Sequence, residues 1–264
     1  MRLRKRSLGL LALALLTAAF PFGPLFPWSP WKPGYHAIPL ARADVFIPAG
    51  TTAPPAYRQI DAYIQAAEHT LQLSAPKRIA IVLTPTWTHF RRLMPHMRST
   101  GIGAVTLATG GIVYVTPRIA ARNFDHGEFL RHEICHAVIH QNQSVLAAFR
   151  ISQVEWLSEG LAVMFGNQQA YVTRDEMLAR ARREDILPAI DPQLRDPRTF
   201  QIRYAYQLWR YFCEFLIEHY GRETFQRYLR AVMADPSAWR TQFQSVFQTP
   251  FVEAVKSYQE KLRS

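Results

Sequence analysis

Cysteine is scarce in this 264-residue chain, and no apolar stretch is long enough to cross a bilayer as a helix. Cys135 and Cys213 are the only thiols, and each falls in a segment of helical periodicity, so a disulfide framework is excluded and two buried free thiols are expected, with a single pairing in an oxidising compartment as the alternative. The longest apolar run, residues 8–20, falls short of the ~20 residues a spanning helix needs, and Pro21, Pro24 and Pro27 oppose its extension. Acidic side chains are missing from the first 43 positions, which hold Arg2, Arg4, Lys5, Arg6, Lys32 and Arg42. Of the overall net charge of +11, only +5 therefore belongs to the rest of the chain, with 25 basic against 20 acidic residues. Such a mildly basic surface argues against nucleic acid as a partner. No internal repeat is present.

The basic cluster at Arg2, Arg4, Lys5 and Arg6 followed by the apolar run has the pattern of an export signal. A small-x-small triplet, Ala41-Arg42-Ala43, offers a cleavage site, with Ala18-Ala19 as an earlier alternative, and an uncleaved anchor is the competing reading. In either case the folded part is expected outside the cytoplasm, periplasmic or in the cell envelope, with membrane association through the apolar segment. Nine of the 18 prolines lie between positions 21 and 55, which predicts an extended linker. Residues 1–43 are thus assigned to signal or anchor with linker and residues 44–264 to one domain, its folded part beginning near Ala53.

With 48% hydrophobic residues, that domain can bury a sizeable core. Ile60, Ile64, Ala67 and Leu71 recur at helical spacing and predict an amphipathic helix over 56–73. Residues 79–83 read as a buried strand, 87–94 as a short helix, and 104–108 with 112–116 as strands joined through Gly110-Gly111, a hairpin pattern. From Asp125 onward the chain is predicted almost wholly helical. Asp125 with Glu128, and Ser152 with Glu155, have the spacing of capping boxes; Gly166 and Gly221 are helix stops. Further helices are expected at 173–183, 201–220, 222–234 and 250–262. The fold class is α+β: a small N-terminal mixed sheet with helices, then a mainly helical C-terminal part.

Between the two parts lies His132-Glu133-Ile134-Cys135-His136. On a helix, residues i and i+4 share a face, so both imidazoles can reach one metal ion while Glu133 points to its open side, the H-E-x-x-H pattern of a zinc hydrolase. A catalytic zinc ion takes three protein ligands and leaves one position open. Glu159 is the expected third ligand: it lies 23 residues beyond His136, in an otherwise apolar segment with Leu157, Leu161, Val163, Met164 and Phe165. A carboxylate in such a segment needs a partner, although an exposed helix face is the plain alternative. His140 shares the face of His132 and His136, but two helical turns separate it from His132 by about 12 Å, too far for one ion. The metzincin spacing also fails, since Ile139 and Asn142 stand where Gly and His are required.

The H-E-x-x-H segment followed by Trp156-Leu157-Ser158-Glu159-Gly160-Leu161-Ala162 resembles the gluzincin metallopeptidases, particularly the peptidase-MA-like group related to aminopeptidase N and thermolysin. The resemblance covers roughly residues 100–264, including the β-run from Thr106, Tyr220-Gly221, and the closing Phe247-Gln248-Thr249-Pro250-Phe251, where Gln248 replaces a common Gly. It implies a zincin-like fold, zinc held by His132, His136 and Glu159, and Glu133 as general base in peptide hydrolysis. It further suggests a tyrosine on the 201–220 helix as oxyanion donor. Tyr206 is the candidate, one position off the family register, and Tyr204 is nearly as well placed; either can equally be a core aromatic. No G-x-M-E-N-like segment precedes His132, which favours an endopeptidase over an aminopeptidase. The β-run from Thr106 would form the edge strand along which a peptide or protein substrate pairs, although its alternating Val105, Leu107, Ile112 and Tyr114 can equally be plain core packing. A non-catalytic envelope binding or scaffold protein with a zinc-stabilised domain is the alternative function.

Overall fold

The computed structural model describes residues 20, 26–29, 31–95, 97, 103–107, 109–121, 125–168 and 172–263. Apart from Phe20, the apolar run 8–20 lies outside them, as does Ala108 at the end of the first hairpin run. Among the described residues no helix is long and apolar enough to cross a membrane.

Among the described residues five strands, β1 (Tyr35–Pro39), β2 (Ala43–Pro48), β3 (Ile79–Leu83), β4 (Ala104–Thr106) and β5 (Ile112–Val115), form one mixed sheet in the order β1-β2-β3-β5-β4. The outer pairs β1/β2 and β4/β5 are antiparallel, and the inner pairs β2/β3 and β3/β5 are parallel. Alternation sorts the side chains onto two faces. Val45, Ile79, Ile81, Val113 and Val115 face the main core, while Val82, Ile112 and Tyr114 join Phe26, Phe90 and Leu93 in a smaller cluster behind the sheet.

The strands β1 and β2 correct the expectation of a linker up to residue 52. Pro39 and Pro48 end their strands, where a missing N–H costs little of the ladder. The turn between them is fixed to the domain. Asp61 accepts the backbone N–H of Ala41 and Arg42, and the Arg42 guanidinium pairs with Glu68. Ala43 is fully buried, so a chain break after it would detach β1 from a folded sheet.

The helices are α1 (Ile60–Leu71), α2 (Trp87–Leu93), α3 (Pro117–Ala121), α4 (His126–Gln141), α5 (Val145–Arg150), α6 (Glu155–Gly166), α7 (Arg174–Ala181), α8 (Leu187–Ile190), α9 (Ile202–Tyr220), α10 (Arg222–Ala234), α11 (Trp239–Phe247) and α12 (Phe251–Arg263). With the mixed sheet they make the α+β architecture expected. The short helices α3, α5 and α8, and the longer α11, were not separately predicted. Ile60, Ile64, Ala67 and Leu71 all face inward on α1, which packs on α4. The helix α4 is buried almost all round, enclosed by the sheet, α1 and α6. Gly110 allows the hairpin to press on it: with φ at +65°, an added Cβ would lie 2.4 Å from the Ala137 carbonyl.

Two expected caps differ. Ser152 lies inside a 3-10 turn, Ile151–Val154, that runs directly into α6, so there is no free helix start for it to cap. Glu155 instead pairs with Arg195 at 2.7 Å. Gly166 is the last residue of α6, and Asn167 takes the left-handed conformation that closes it. Gln248, standing where the resemblance expects Gly, likewise adopts a positive φ of 55°. Gly221 stops α9 as predicted.

Behind α6 an aromatic core fixes the helical part. The Trp156 ring lies 5.1 Å from Phe212 and 5.6 Å from Phe251. Cys135 and Cys213 are buried free thiols, as expected.

Candidate metal centre

Asp125 starts α4 by accepting the N–H of Gly127 at 2.7 Å and of Glu128 at 3.4 Å, a helix cap that sets the phase of the residues after it. His132 and His136 then fall on the side facing α6, and both are buried, as is Glu133. Glu159 comes from the middle of α6. This helix lies against α4 on one side and α9 on the other, where Gly160 permits a very close approach: an added Cβ would sit 2.7 Å from the Trp209 carbonyl oxygen.

These elements bring three potential ligands together. The Nε2 atoms of His132 and His136 are 3.1 Å apart, and they lie 3.3 and 3.5 Å from Oε2 and Oε1 of Glu159. Tetrahedral coordination at about 2.0–2.1 Å places neighbouring ligand atoms about 3.3 Å apart, so the observed spacings suit one small ion. Among the described residues, His132, His136 and Glu159 form a group able to hold a metal. Two further observations fit a cation. Glu159 Oε2 is buried without a hydrogen-bond partner, and two imidazole nitrogens face each other at a distance that only a proton or a cation makes favourable.

The charges are strongly coupled. Burial alone would raise the Glu159 carboxyl, but the two histidines outweigh it and hold the group well below the usual carboxylate range. Burial opposes charge on His136; Glu159 and Glu133 overcome that and raise it above the ordinary histidine value. His140 stays outside the cluster, stacked on His136 at 6.2 Å with its Nδ1 3.2 Å from Gln143 Oε1. Burial and the neighbouring His136 push it down to about 4.

Beside the ligands, Glu133 meets a residue not singled out from the sequence. Thr106 Oγ1 lies 2.6 Å from Glu133 Oε2 and 3.0 Å from the Glu133 carbonyl oxygen. Thr106 ends β4, the outermost strand on that side of the sheet. The only signal in the sequence was its polar side chain between Val105 and Leu107, whose side chains pack into the smaller cluster behind the sheet.

The two tyrosines of α9 part company because residues two apart diverge by about 200° around a helix. The Tyr206 ring lies 6.4 Å from that of His132. Tyr204 is buried beneath the Arg180 guanidinium, 4.2 Å from its ring, and burial pushes its hydroxyl up to about 12. His126, at the start of α4, meets the Tyr57 hydroxyl at 3.2 Å.

No family model and no curated protein matches the sequence. Among solved structures the chain is similar to a two-domain M1 zinc metallopeptidase variant bound to L-arginine, at 16% identity and a TM-score of 0.48 over 87% of this chain and 51% of the other. It is likewise similar to an M1 zinc metallopeptidase from Deinococcus radiodurans, at 14% identity and a TM-score of 0.47 over 87% of this chain and 51% of the other. The chain thus spans about half the length of these structures.

Proposed function

We propose that this chain is a zinc-dependent peptidase, with His132, His136 and Glu159 as metal ligands. The observation that carries the reading is the convergence of these three side chains, all of whose ligand atoms lie within 4.8 Å of one another, next to a second acidic group, Glu133, that is not among them. Structural zinc sites fill all four positions with protein ligands and need no base. Three ligands with a neighbouring carboxylate is the composition of a catalytic site. A zinc ion, when bound, supplies Lewis acidity toward water and toward a peptide carbonyl. Glu133 takes a proton from the attacking water on its carboxylate and delivers it to the leaving nitrogen. The Tyr206 hydroxyl is the candidate donor to the oxyanion, from the α9 side of the site.

An extended peptide fits along β4, where a main-chain ladder would run beside Glu133. Such a mode holds the interior of a chain, which suits endopeptidase action. The N-terminal basic and apolar pattern supports a place in the cell envelope. In the alternative reading, zinc only stabilises a binding protein.

The test uses the full-length chain, because β1 belongs to the sheet, and a quenched fluorogenic peptide library. Glu133→Gln is expected to retain one zinc per chain while hydrolysis falls by about 100-fold or more. Glu159→Ala is expected to lose both. A wild-type protein that binds zinc and cleaves nothing in the library would sink the peptidase reading in favour of the binding protein.

A further inference from the structure

A general base must be aimed as well as present. Glutamate has three side-chain torsions, and a carboxylate free to turn away from the attacking water spends little time in a productive geometry. In this site a group outside the zinc ligands restrains it. Thr106 Oγ1 is 2.6 Å from Glu133 Oε2, within the range of a charge-assisted O–H···O⁻ bond, and its second, longer contact reaches the carbonyl oxygen of the same residue. A hydroxyl carries one proton, so the shorter contact to the carboxylate takes it, and Glu133 is held at its side-chain end from the strand.

We propose that Thr106 is a positioning residue for Glu133, locking the carboxylate in its working rotamer and tying the base to the edge strand β4. The proposal rests on the peptidase reading, in which Glu133 moves the proton. It adds a coupling between two parts of the site: the strand beside which a peptide would lie is the same strand that aims the base. The backbone supports such a link, since Thr106 pairs with Val113 of β5, and Val113 is buried in the main core. The hydroxyl is thus presented by a strand whose neighbour is firmly seated.

The experiment compares Thr106→Val, which keeps the shape and removes the hydroxyl, with Thr106→Ser, which keeps the hydroxyl, in the full-length zinc-loaded protein. Zinc content is read for each variant, and kcat and KM are read on the best-cleaved peptide of the fluorogenic library. Thr106→Val is expected to keep one zinc and an unchanged KM while kcat falls by about 10- to 100-fold, and Thr106→Ser is expected to restore most of it. Melting temperatures of Thr106→Val, Glu133→Ala and the double variant give a readout independent of turnover. The two shifts should be non-additive, the valine costing less once the carboxylate is gone. Wild-type kcat in Thr106→Val, or additive melting shifts, would overturn the assignment while leaving the peptidase reading intact. A serine variant as slow as the valine variant would overturn it too, by assigning the effect to the methyl group. A wild-type protein without any hydrolysis overturns the peptidase reading, and the positioning role with it.

Discussion

His132 and His136 sit four residues apart on one capped helix, whereas Glu159 reaches them from a second helix that is held in place by a third. On the α4 side the ligand geometry is local: once the helix forms, 3.6 residues per turn brings both rings to one face. On the α6 side nothing local aims Glu159. Its position depends on Trp156 in the aromatic core and on Gly160 against the backbone of α9. The difference teaches that the two halves of one site are specified at different levels, by helical spacing on one side and by tertiary packing on the other. Damage to packing should therefore fall unequally on the three proposed ligands.

The sharpest way to break this comparison is Gly160→Ala. A methyl there would meet the Trp209 carbonyl oxygen at 2.7 Å and Cys213 Sγ at 2.9 Å, and since the first is backbone, the helices must move apart. We expect a loss of about 1–3 kcal/mol of stability from overpacking, read by denaturant unfolding. Zinc affinity should fall by about 10- to 100-fold, as for other disturbances behind a ligand. Retention of wild-type affinity would show that Glu159 is not placed by this contact.

The same division governs what was legible in the sequence. The helix α4 could be read in place because Asp125 and the His-x-x-x-His spacing are local signals, and β3 was bounded correctly by its apolar run. Glu159 stands out as an acid in an apolar segment 23 residues beyond His136 and through the Trp156–Ala162 resemblance. That it arrives in contact with both histidines depends on α6 crossing α4, which no periodicity encodes. The strands β1 and β2 do not stand out in the sequence because the proline count suggests a linker, while prolines at strand ends disturb few ladder bonds. Thr106 was missed for a related reason: its partner Glu133 is 27 residues away, and only the hairpin's docking on α4 joins them.

A second prediction sharpens the comparison through pH. The raised His136 means that the metal-free site keeps a proton to higher pH than a free imidazole would, and a metal must displace it. Lowering the pH through and below the usual histidine range favours the protonated form and so weakens zinc binding, by up to about tenfold per pH unit for each proton released. Because His136 is raised, the competition persists above the usual histidine range, and the affinity levels off only once the pH exceeds the raised value. His140, neutral across this range because burial and His136 hold it down at about 4, adds nothing to the slope. Chelator competition across pH about 5 to 8 measures it. An affinity that stays flat over that interval would mean that no proton is displaced from His136.

The smallest expected effect is that of Asp125→Ala, which tests whether the α4 side is as self-contained as its spacing implies. The substitution removes the acceptor for the N–H of Gly127 and Glu128, and loss of such a cap costs about 1 kcal/mol, measurable as a modest fall in melting temperature. Fraying of a helix end stays within its first turn, and the contact between His126 and the Tyr57 hydroxyl still restrains that turn. His132 lies beyond it, with the sheet, α1 and α6 around the helix, so zinc affinity should change by less than about threefold. If Asp125→Ala instead weakens zinc binding as much as Gly160→Ala does, helical spacing alone does not hold the two histidines, and the α4 side is as easily disturbed as the α6 side. The contrast between a side fixed by spacing and a side fixed by packing would then fail.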